Sequence, residues 1–574
     1  MNSVNTTAST PEALDQEIGV LRAGADSWST VPLGDRVELL ERLALRIADV
    51  AEEWVDAAAT AKGLEQSSQL VGEEWVSGPW ALIAGVRALA ETLAALDRGA
   101  LPFSDRAVSE RSGGQVVVDV YPTNPIESLL RHGYHAEVWQ QPEVRRSNLR
   151  DSVGRLYREG QPDPGVCAVM GAGNIAAITP LDILHALFAE GRTVAAKLSP
   201  VNDYLGPFLE RAFGEFTDRG WVRFLYGGAE VGERLVDHEE VVAVHVTGSV
   251  ATYDAIVFGT GPDGAERRAA GTPRLDKPVT AELGGVSPAI VVPGAWTDAD
   301  LRYQAEHVAT QKLHNAGHNC IATQVIVLPA DWEHADRFTE LVAGAIAAAP
   351  ARDPYYPGSK ERHEAVLGAD RDHLVLGGAT PPRTVAPDVA PDSNDRCFSD
   401  EAFGGHLAIT RLPGGTDEYL RAAVEFANDR LAGTLGANLL VDPKTARAHA
   451  AALDSAIAGL RYGTVGVNAW VGVGFLLARA SWGAYPGATP GDIQSGVGVV
   501  HNACLFDHPQ KTVVRAPFRP FPAGLAHGSL HLSPKPPWFV TNRTAKTTSR
   551  RLTDFAAKPS LTKLPGIFYS ALRG

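Results

Sequence analysis

The sequence is poor in sulfur, with 4 cysteines and 2 methionines among 574 residues. The cysteines, at positions 167, 320, 397 and 504, lie far apart and form no CxxC pair. Neither a disulfide framework nor a zinc site is expected, and we predict no metal site. The N-terminal residues lack a basic flank followed by an apolar run, and we expect no segment to reach the roughly 20 apolar residues of a membrane helix. These absences favour a reducing, cytoplasmic location.

Positive charge is also scarce, because 52 Lys and Arg stand against 67 Asp and Glu, for a net charge of -15. Such a chain repels phosphate backbones, so we expect no nucleic-acid partner. The composition is 45% hydrophobic and 21% charged, which is typical of globular proteins. A chain of this length favours two or three domains rather than one core.

Periodicity indicates an α/β protein. Residues 10–96 carry helical apolar stripes, whereas residues 115–159 are irregular and are consistent with strands and a protruding arm. From residue 165 onward, short apolar runs such as GVCAVM and VVAVHVTGS alternate with amphipathic helices. This βα rhythm repeats at residues 288–442 and predicts two mostly parallel sheets, the usual hosts of dinucleotides.

Three segments depart from this rhythm. Residues 259–278 and 381–395 are rich in Gly, Pro and charge, which predicts exposed loops. The tail at 521–574 contains Asp554 as its only acid. Its eight cations are Lys535, Arg543, Lys546, Arg550, Arg551, Lys558, Lys563 and Arg573. The tail is therefore predicted to be a basic appendage on an acidic protein.

A glycine motif, GAGNIA at residues 171–176, follows an apolar strand and matches the GxGxxA pattern of dinucleotide-binding folds. That pattern requires an acidic residue about 20 positions later. The corresponding stretch ends at Lys197 instead. We therefore reject the ordinary fingerprint.

Two further motifs are more specific. TAELGGVSP at residues 280–288 is followed by NAGHNCIA at 315–322, with Glu282 and Cys320 separated by 38 positions (320 minus 282). This pair resembles the glutamate and cysteine signatures of the aldehyde dehydrogenase superfamily. Alone, a Glu before Gly-Gly is usually a solvated turn residue and a cysteine is usually a buried apolar residue.

The resemblance extends in colinear order over residues 14–518. Asn174 and Lys197 are 23 positions apart (197 minus 174), as the family's asparagine and lysine are. TGS at 247–249, EAFG at 401–404, VNAW at 467–470 and DIQSG at 492–496 resemble other family landmarks. The resemblance implies a Rossmann-type cofactor domain, an α/β catalytic domain and a small oligomerisation arm.

The implied domain boundaries follow the same alignment. Residues 10–140 and 160–280 are assigned to NAD(P) binding, and residues 281–490 to catalysis. The arm is assigned to 141–159 and 505–520, and residues 521–574 form the basic tail. Residues 510–517 resemble a late strand that joins a neighbouring subunit, which implies a homodimer or homotetramer. The tail either packs on protein or contacts an anionic membrane surface.

The resemblance implies oxidation of an aldehyde, a small-molecule substrate, to a carboxylic acid. Cys320 is the implied nucleophile that forms a thioester, and its oxyanion is held by the Asn174 amide and the Cys320 backbone N–H. Glu282 is the implied base for the hydrolytic water, provided that burial raises its pKa toward neutrality.

NAD or NADP is the implied cofactor. Lys197 resembles the residue near the adenosine ribose, and Gly248 and Ser249 resemble the turn near the pyrophosphate. Glu401 and Phe403 belong to the motif at the nicotinamide ribose. The family's acid beside the adenosine ribose is replaced by Pro200, so the choice of cofactor stays open with a lean toward NAD. Ala176 and Gly405 also replace prolines of the family pattern.

Three other readings remain. CoA could resolve the thioester in place of water, although a retained Glu282 favours water. The chain could be a catalytically silent scaffold of the same fold, against which the set of Cys320, Glu282 and Asn174 argues. His314 and His318 flank Cys320 and suggest a Cys–His hydrolase, but the sequence offers no partner to orient either ring.

Overall fold

The computed structural model of the chain describes residues 8–160, 164–368 and 371–574. Its helices are α1 Pro11–Ser29, α2 Leu33–Ala61, α3 Val71–Trp75, α4 Ala81–Asp97, α5 Pro125–Leu130, α6 Arg155–Glu159, α7 Ile178–Phe188, α8 Gly206–Ala212, α9 Gly214–Asp218, α10 Ala229–Asp237, α11 Val250–Val257, α12 Gly261–Ala270, α13 Asp298–Leu313, α14 Ala335–Ala348, α15 Ser359–Leu367, α16 Arg396–Ser399, α17 Thr416–Arg430, α18 Pro443–Ala448, α19 Ala450–Gly459, α20 Gly472–Leu476, α21 Ala545–Ala557 and α22 Leu564–Ala571. A π-helical turn, Val76–Trp80, joins α3 to α4.

The strands are β1 Val108–Glu110, β2 Val116–Tyr121, β3 His135–Gln140, β4 Val166–Met170, β5 Thr193–Lys197, β6 Val222–Leu225, β7 Val241–Gly248, β8 Val279–Leu283, β9 Ser287–Val291, β10 Thr323–Pro329, β11 Leu374–Leu376, β12 Arg383–Ala386, β13 His406–Leu412, β14 Gly436–Leu440, β15 Thr464–Val467, β16 Trp482–Gly483, β17 Gly496–Val497, β18 Val499–His501 and β19 Pro509–Arg515. The predicted α/β class is confirmed.

The smaller of the two main sheets has six strands in the order β17-β8-β7-β4-β5-β6, parallel except for β17. Its strands are buried on both faces. Val166 of β4 belongs to the core beneath α1 and α10, and the next residue, Cys167, belongs to the core beneath α2, α4 and α7. Because successive side chains of a strand point to opposite faces, this alternation places helices on both sides of the sheet.

The larger sheet has eleven strands in the order β1-β2-β3-β19-β15-β14-β9-β10-β13-β12-β11. The strands from β19 to β12 are parallel to one another, and antiparallel strands complete both edges. Strands β1 to β3 lie within residues 10–140, which were assigned to cofactor binding from the sequence. They are hydrogen-bonded in this larger sheet rather than in the six-stranded one. The domain boundaries as a whole stay a prediction.

Strand β19 differs from its expected role as an edge that joins another subunit. It pairs with β15 on one side and with β3 on the other, both in the same chain. Its backbone hydrogen bonds are therefore satisfied internally, which removes the exposed edge on which the expectation of subunit pairing rested.

The loop prediction for residues 259–278 is wrong over half of that segment, where α12 forms. Thr260 precedes the helix, Pro262 occupies its first turn, and Gly271 ends it with a left-handed φ of 64°. Proline is favoured in a first turn and glycine just past a last turn, so the residues that suggested a loop mark the two ends of a helix. Likewise, residues 381–395 contain the buried strand β12.

The basic tail folds onto its own chain. Helix α21 packs against α3 so closely that a Cβ on Gly72 would lie 2.6 Å from the carbonyl carbon of Ala545. Trp538 is buried in the main core. Two of the tail's cations form ion pairs within the chain, Lys535 with Glu306 and Arg550 with Glu52.

One helical run, Val71–Asp97, has the length and composition of a membrane-spanning helix, with 27 residues and a mean hydropathy of 1.3. No such run was expected from the sequence. It arises because α3, the π-helical turn and α4 join end to end. Within its most apolar window, 72% is buried inside the protein, and a core helix meets the same criteria.

Candidate active site

All eight predicted catalytic and cofactor-binding residues line one cleft of about 510 Å³ beside the six-stranded sheet. They are Asn174, Lys197, Gly248, Ser249, Glu282, Cys320, Glu401 and Phe403. Residues separated by more than 200 positions in sequence therefore meet at one surface. The cleft lies at the carboxyl ends of β4, β5 and β7, where open α/β sheets bind ligands.

Cys320 lies in the connection between α13 and β10. The preceding residues Asn315, Ala316 and Gly317 have left-handed φ values of 55°, 56° and 82°. Such conformations disfavour non-glycine residues and persist only when the surroundings hold them. The backbone N–H of Asn315 donates to the carboxylate of Glu73 at 3.0 Å, and its side-chain N–H donates to the carbonyl of His318 at 3.0 Å. These bonds fix the turn that presents Cys320.

The thiol of Cys320 is directed at Glu282. Its Sγ donates to Oε1 of Glu282 at 3.3 Å, whereas Oε2 has no hydrogen-bond partner among the described residues. Burial raises the pKa of Glu282 to about 7, and burial with the nearby carboxylate raises the pKa of Cys320 well above its ordinary value. The resting thiol is therefore protonated at neutral pH, whereas the carboxyl group of Glu282 beside it titrates near neutral pH.

Asn174 reaches the same end of the cleft from the loop between β4 and α7. Its side-chain N–H donates to the carbonyl of His318 at 3.0 Å, two residues before Cys320. Its backbone carbonyl accepts hydrogen bonds at 3.0 Å from each of Lys62, Asn315 and Tyr355. Asn174 is thus held at both its backbone and its side chain.

A buried ionic cluster that supports Asn174 was missed in the sequence analysis. Nζ of Lys62 lies 2.9 Å from Glu74 and is also hydrogen-bonded to Asn315 at 3.2 Å. Arg352 pairs with Glu73 in the same cluster. Residues 62, 73, 74 and 352 carry no common sequence motif, so only the folded chain brings them together.

A second missed cluster lies behind Glu282. Asp182 of α7 accepts from Thr247 at 3.1 Å and lies 3.3 Å from Nε2 of His501. Burial raises the pKa of Asp182 to about 6 and lowers the pKa of His501 to about 4. The charge of Asp182 contributes to the raised pKa of Glu282, whereas His501 opposes it. The basicity of Glu282 therefore depends on groups outside its own motif.

The cofactor end of the cleft combines a helix N-terminus with charged groups. Ser249 caps α11 by accepting from the backbone of Thr252 at 3.1 Å. Burial lowers the pKa of Lys197. Two lining residues, Glu233 and Arg274, were not predicted to contribute to this cleft.

Glu401 has an unfilled hydrogen-bonding position in the cleft. Burial raises its pKa to about 8, and its Oε1 is buried without a partner among the described residues. A Cβ on Gly284 would lie 2.2 Å from its other carboxyl oxygen, so the glycine leaves room for Glu401. The orphaned oxygen, the capped helix and Lys197 fit a dinucleotide, whose ribose hydroxyls donate and whose phosphates accept.

The flanking histidines do not activate Cys320 in this arrangement. Nδ1 of His318 lies 2.8 Å from the carbonyl of Phe403, and burial lowers the pKa of His318 to about 3. His314 packs against the ring of Trp470 with centroids 4.7 Å apart, and burial lowers its pKa. Glu282, rather than either histidine, is the hydrogen-bond partner of the thiol.

A small apolar cavity is lined by Cys320 and shares Asn174, Ile178 and Glu282 with the cleft. Most of its walls are large apolar side chains, among them Val76, Ile175, Ile178, Trp470, Phe475, Leu476 and Trp482. Its polar lining residues are Ser77, Asn174, Glu282, His314, Asn319 and Cys320. Its volume of about 40 Å³ is far below that of a drug-sized site, so it accommodates only the reacting end of a small molecule.

Comparisons with known proteins agree with this geometry. The sequence model of the Aldehyde dehydrogenase family matches residues 132–475, more than half of the chain. Geranial dehydrogenase of Castellaniella defragrans is 29% identical over 393 residues, covering 64% of this chain and 74% of that protein. Coniferyl aldehyde dehydrogenase of a Pseudomonas species is 28% identical over 225 residues, covering 39% of this chain and 42% of that protein.

Solved structures share the fold at lower sequence identity. Aldehyde dehydrogenase C of Pseudomonas syringae, a mutant solved with NAD+ and octanal, has a TM-score of 0.55 and 18% identity, covering 88% of this chain and 89% of that one. Lactaldehyde dehydrogenase of Escherichia coli has a TM-score of 0.58 and 16% identity, covering 88% and 91%. These likenesses concern the fold.

Proposed function

We propose roles for individual residues of this chain on the premise that it belongs to the aldehyde dehydrogenase family and oxidises an aldehyde to a carboxylic acid with NAD(P)+. The observation that carries the assignment is the 3.3 Å contact between the thiol of Cys320 and the carboxyl of Glu282. It joins a nucleophile to a base inside the cleft that also holds the candidate cofactor residues.

In the first step, Glu282 takes the proton of the Cys320 thiol, and the sulfur adds to the carbonyl carbon of the aldehyde. The carbonyl oxygen becomes an oxyanion. The side-chain N–H of Asn174 and the backbone N–H of Cys320 stabilise it, because fixed donors act strongly where charge develops in a buried site. This role of Asn174 is supported by the hydrogen bonds that hold both its side chain and its backbone carbonyl.

Lys197, Ser249 and Glu401 would hold the dinucleotide along the cleft. When bound, the nicotinamide supplies the hydride acceptor that aldehyde oxidation needs. Glu401, with its free Oε1, suits a ribose hydroxyl, and the N-terminus of α11 suits a phosphate. Phe403, which contacts His318 with ring centroids 5.4 Å apart, limits the cleft near Cys320.

Before the last step, Glu282 releases the thiol proton to solvent and is ionised again. It then takes a proton from water, and the water oxygen adds to the thioester carbon. The C–S bond breaks, the carboxylic acid leaves, and Glu282 returns the proton to the Cys320 sulfur. A carboxyl with a pKa of about 7 is suited to both accepting and returning a proton at neutral pH. Its free Oε2 offers a position for that water.

The hydrolytic route is tested with an aldehyde panel assayed with and without CoA at the nicotinamide absorbance. We expect oxidation without CoA and a carboxylic acid as product. A strict requirement for CoA, with an acyl-CoA product, would reassign the second half of the reaction. Binding of NAD+ without turnover of any aldehyde would favour the silent scaffold instead.

We propose NAD+ as the preferred cofactor. Glu233 lines the cleft, and a carboxylate there opposes a 2′-phosphate. Arg274, one of the lining cations that could favour NADP+, is paired with Asp237 at 2.9 Å. We expect a higher kcat/KM with NAD+, and we expect Glu233→Gln to improve NADP+ relative to NAD+. A wild-type preference for NADP+ would contradict this assignment.

A cytoplasmic homo-oligomer completes the proposal. The four cysteines are free thiols, which fits a reducing compartment. Because β19 is already paired on both sides, an assembly would use another surface, such as the edge strand β11, where Val375 is 62% exposed. Light scattering after gel filtration measures the subunit number.

Of the two roles predicted for the tail, packing on protein has the support of its internal ion pairs. Cosedimentation with anionic vesicles tests the other role.

A further inference from the structure

A large apolar cavity of about 690 Å³ lies between α4, residues 120–134 and the tail. The tail supplies much of the wall, from Ser533 to Ala571. Aromatic residues of the π-helical turn, of residues 120–134 and of the tail line it, namely Trp80, Tyr121, Tyr134, Trp538, Phe555 and Phe568. Its volume is within the range of cavities that hold small organic molecules.

Most of the charged groups around this cavity are engaged, although Nε of Arg87 is buried without a hydrogen-bond partner among the described residues. Arg87 donates to the carbonyl of Ala557, and Arg479 pairs with Glu91. The guanidinium of Arg131 lies over the ring of Trp80, 4.8 Å from its centroid. These contacts leave the interior to apolar and aromatic surface, which favours an uncharged, apolar ligand.

The cavity adjoins the reaction site. Leu476 lines both this cavity and the small cavity that contains Cys320. The π-helical turn also contributes to both walls, because Val76 and Ser77 line the small cavity and Trp80 lines the large one. Gly78 within that turn has the non-helical angles φ -117° and ψ -110°. A π-helical insertion changes where successive side chains point, and such insertions are frequent at functional sites.

We propose that the tail-lined cavity binds the apolar chain of an extended aldehyde whose carbonyl group lies at Cys320. The inference rests on the reaction proposed above and adds its substrate class, namely medium- to long-chain aliphatic aldehydes. The chain passes Leu476 and lies against Trp80 and Trp538. Each methylene buried there improves binding about fourfold, from roughly 0.8 kcal/mol per buried CH₂.

Substitutions that fill the cavity test the proposal without touching the reaction site. Ala571→Trp fills it from the last turn of α22, and Ala84→Trp fills it from α4, since both alanines line its wall. Ala526→Trp is the matched control, because Ala526 is an exposed tail residue outside the cavity. The assay measures kcat/KM along an aldehyde series from propanal to dodecanal, and thermal unfolding reports whether each variant folds.

We expect kcat/KM of the unmodified enzyme to rise with chain length. Both cavity variants are expected to lose at least about tenfold on dodecanal while staying within about twofold on propanal. The control should follow the unmodified enzyme throughout. A flat dependence on chain length, or equal losses on both aldehydes in folded variants, would overturn the proposal.

If the proposed aldehyde oxidation itself is wrong, no aldehyde of any length is oxidised. That result differs from oxidation whose rate does not depend on chain length. If a tryptophan variant does not fold, inhibition of propanal oxidation by 1-alkanols decides the matter in the unmodified enzyme. Inhibition that strengthens from butanol to dodecanol supports the cavity, and inhibition independent of length rejects it.

Discussion

The two oxygens of the Glu282 carboxyl have different surroundings, since Oε1 accepts from the thiol of Cys320 at 3.3 Å and Oε2 is buried without a hydrogen-bond partner in the described part of the chain. One oxygen is therefore positioned for the nucleophile and the other for a different proton donor. This asymmetry explains how a single residue can serve both an addition and a hydrolysis. Substitutions of Cys320 and of Glu282 are therefore expected to affect different steps of the reaction.

Replacing Cys320 with alanine removes the only proposed nucleophile. We expect oxidation of any aldehyde to fall by at least about a thousandfold, with unfolding temperature and cofactor binding nearly unchanged. Cys504→Ala is the control, because Cys504 is a buried cysteine that does not line the cleft. Retention of more than a few per cent of the rate by Cys320→Ala would disprove the assignment.

Replacing Glu282 with glutamine keeps the shape of the side chain and removes the base. We expect steady-state turnover to fall by about 10²- to 10⁴-fold. If hydrolysis is affected more than addition, a burst of NADH appears and an acyl adduct accumulates on Cys320. Stopped-flow absorbance and intact-protein mass spectrometry measure these two signals. Unchanged turnover would exclude Glu282 as the base.

The rate of hydrolysis should depend on pH through Glu282. Because the ionised form is the base and its pKa is about 7, the rate should rise with pH and level off above that value. Asp182→Asn removes a nearby negative charge, so the midpoint should move to lower pH, by up to about one unit. Asp263→Asn, an exposed site on α12, should leave the profile in place. A shift to higher pH would contradict the proposed influence of Asp182.

The contact between the tail and α3 should contribute to stability. A methyl group on Gly72 meets the Ala545 backbone at 2.6 Å, so Gly72→Ala should destabilise the fold by about 1–3 kcal/mol. Gly344→Ala is the contrast, because Gly344 lies in α14 with no atom within 4 Å of the added methyl. It should instead stabilise by about 0.5–1 kcal/mol. Thermal unfolding of both variants gives the sign of each effect.

The sequence predicted the fold class and the residues that meet in one cleft. The site residues could be predicted because short motifs such as ELGG and NAGHNC place the reactive residue among the same neighbours along the chain. The sequence did not predict Lys62, Asp182 or His501. Lys62 contacts Asn315 across 253 positions, and Asp182 contacts His501 across 319. Such pairs are created by tertiary packing and have no local pattern.

Helix α12 was mispredicted for a different reason. Its Gly and Pro residues are common to loops and to helix ends, and composition alone does not separate the two. The helices of the tail were not predicted, because its apolar residues, such as Trp538 and Phe539, complete a core that other segments supply. Their periodicity is therefore weak when the tail is considered alone.

The wall formed by residues 533–571 also has a consequence for synthesis. In chain order, this segment follows every residue of the reaction site and of the candidate cofactor cleft. The ribosome thus makes the nucleophile before it makes the wall of the apolar chamber. Selection among aldehydes would then be the last property that the emerging enzyme acquires.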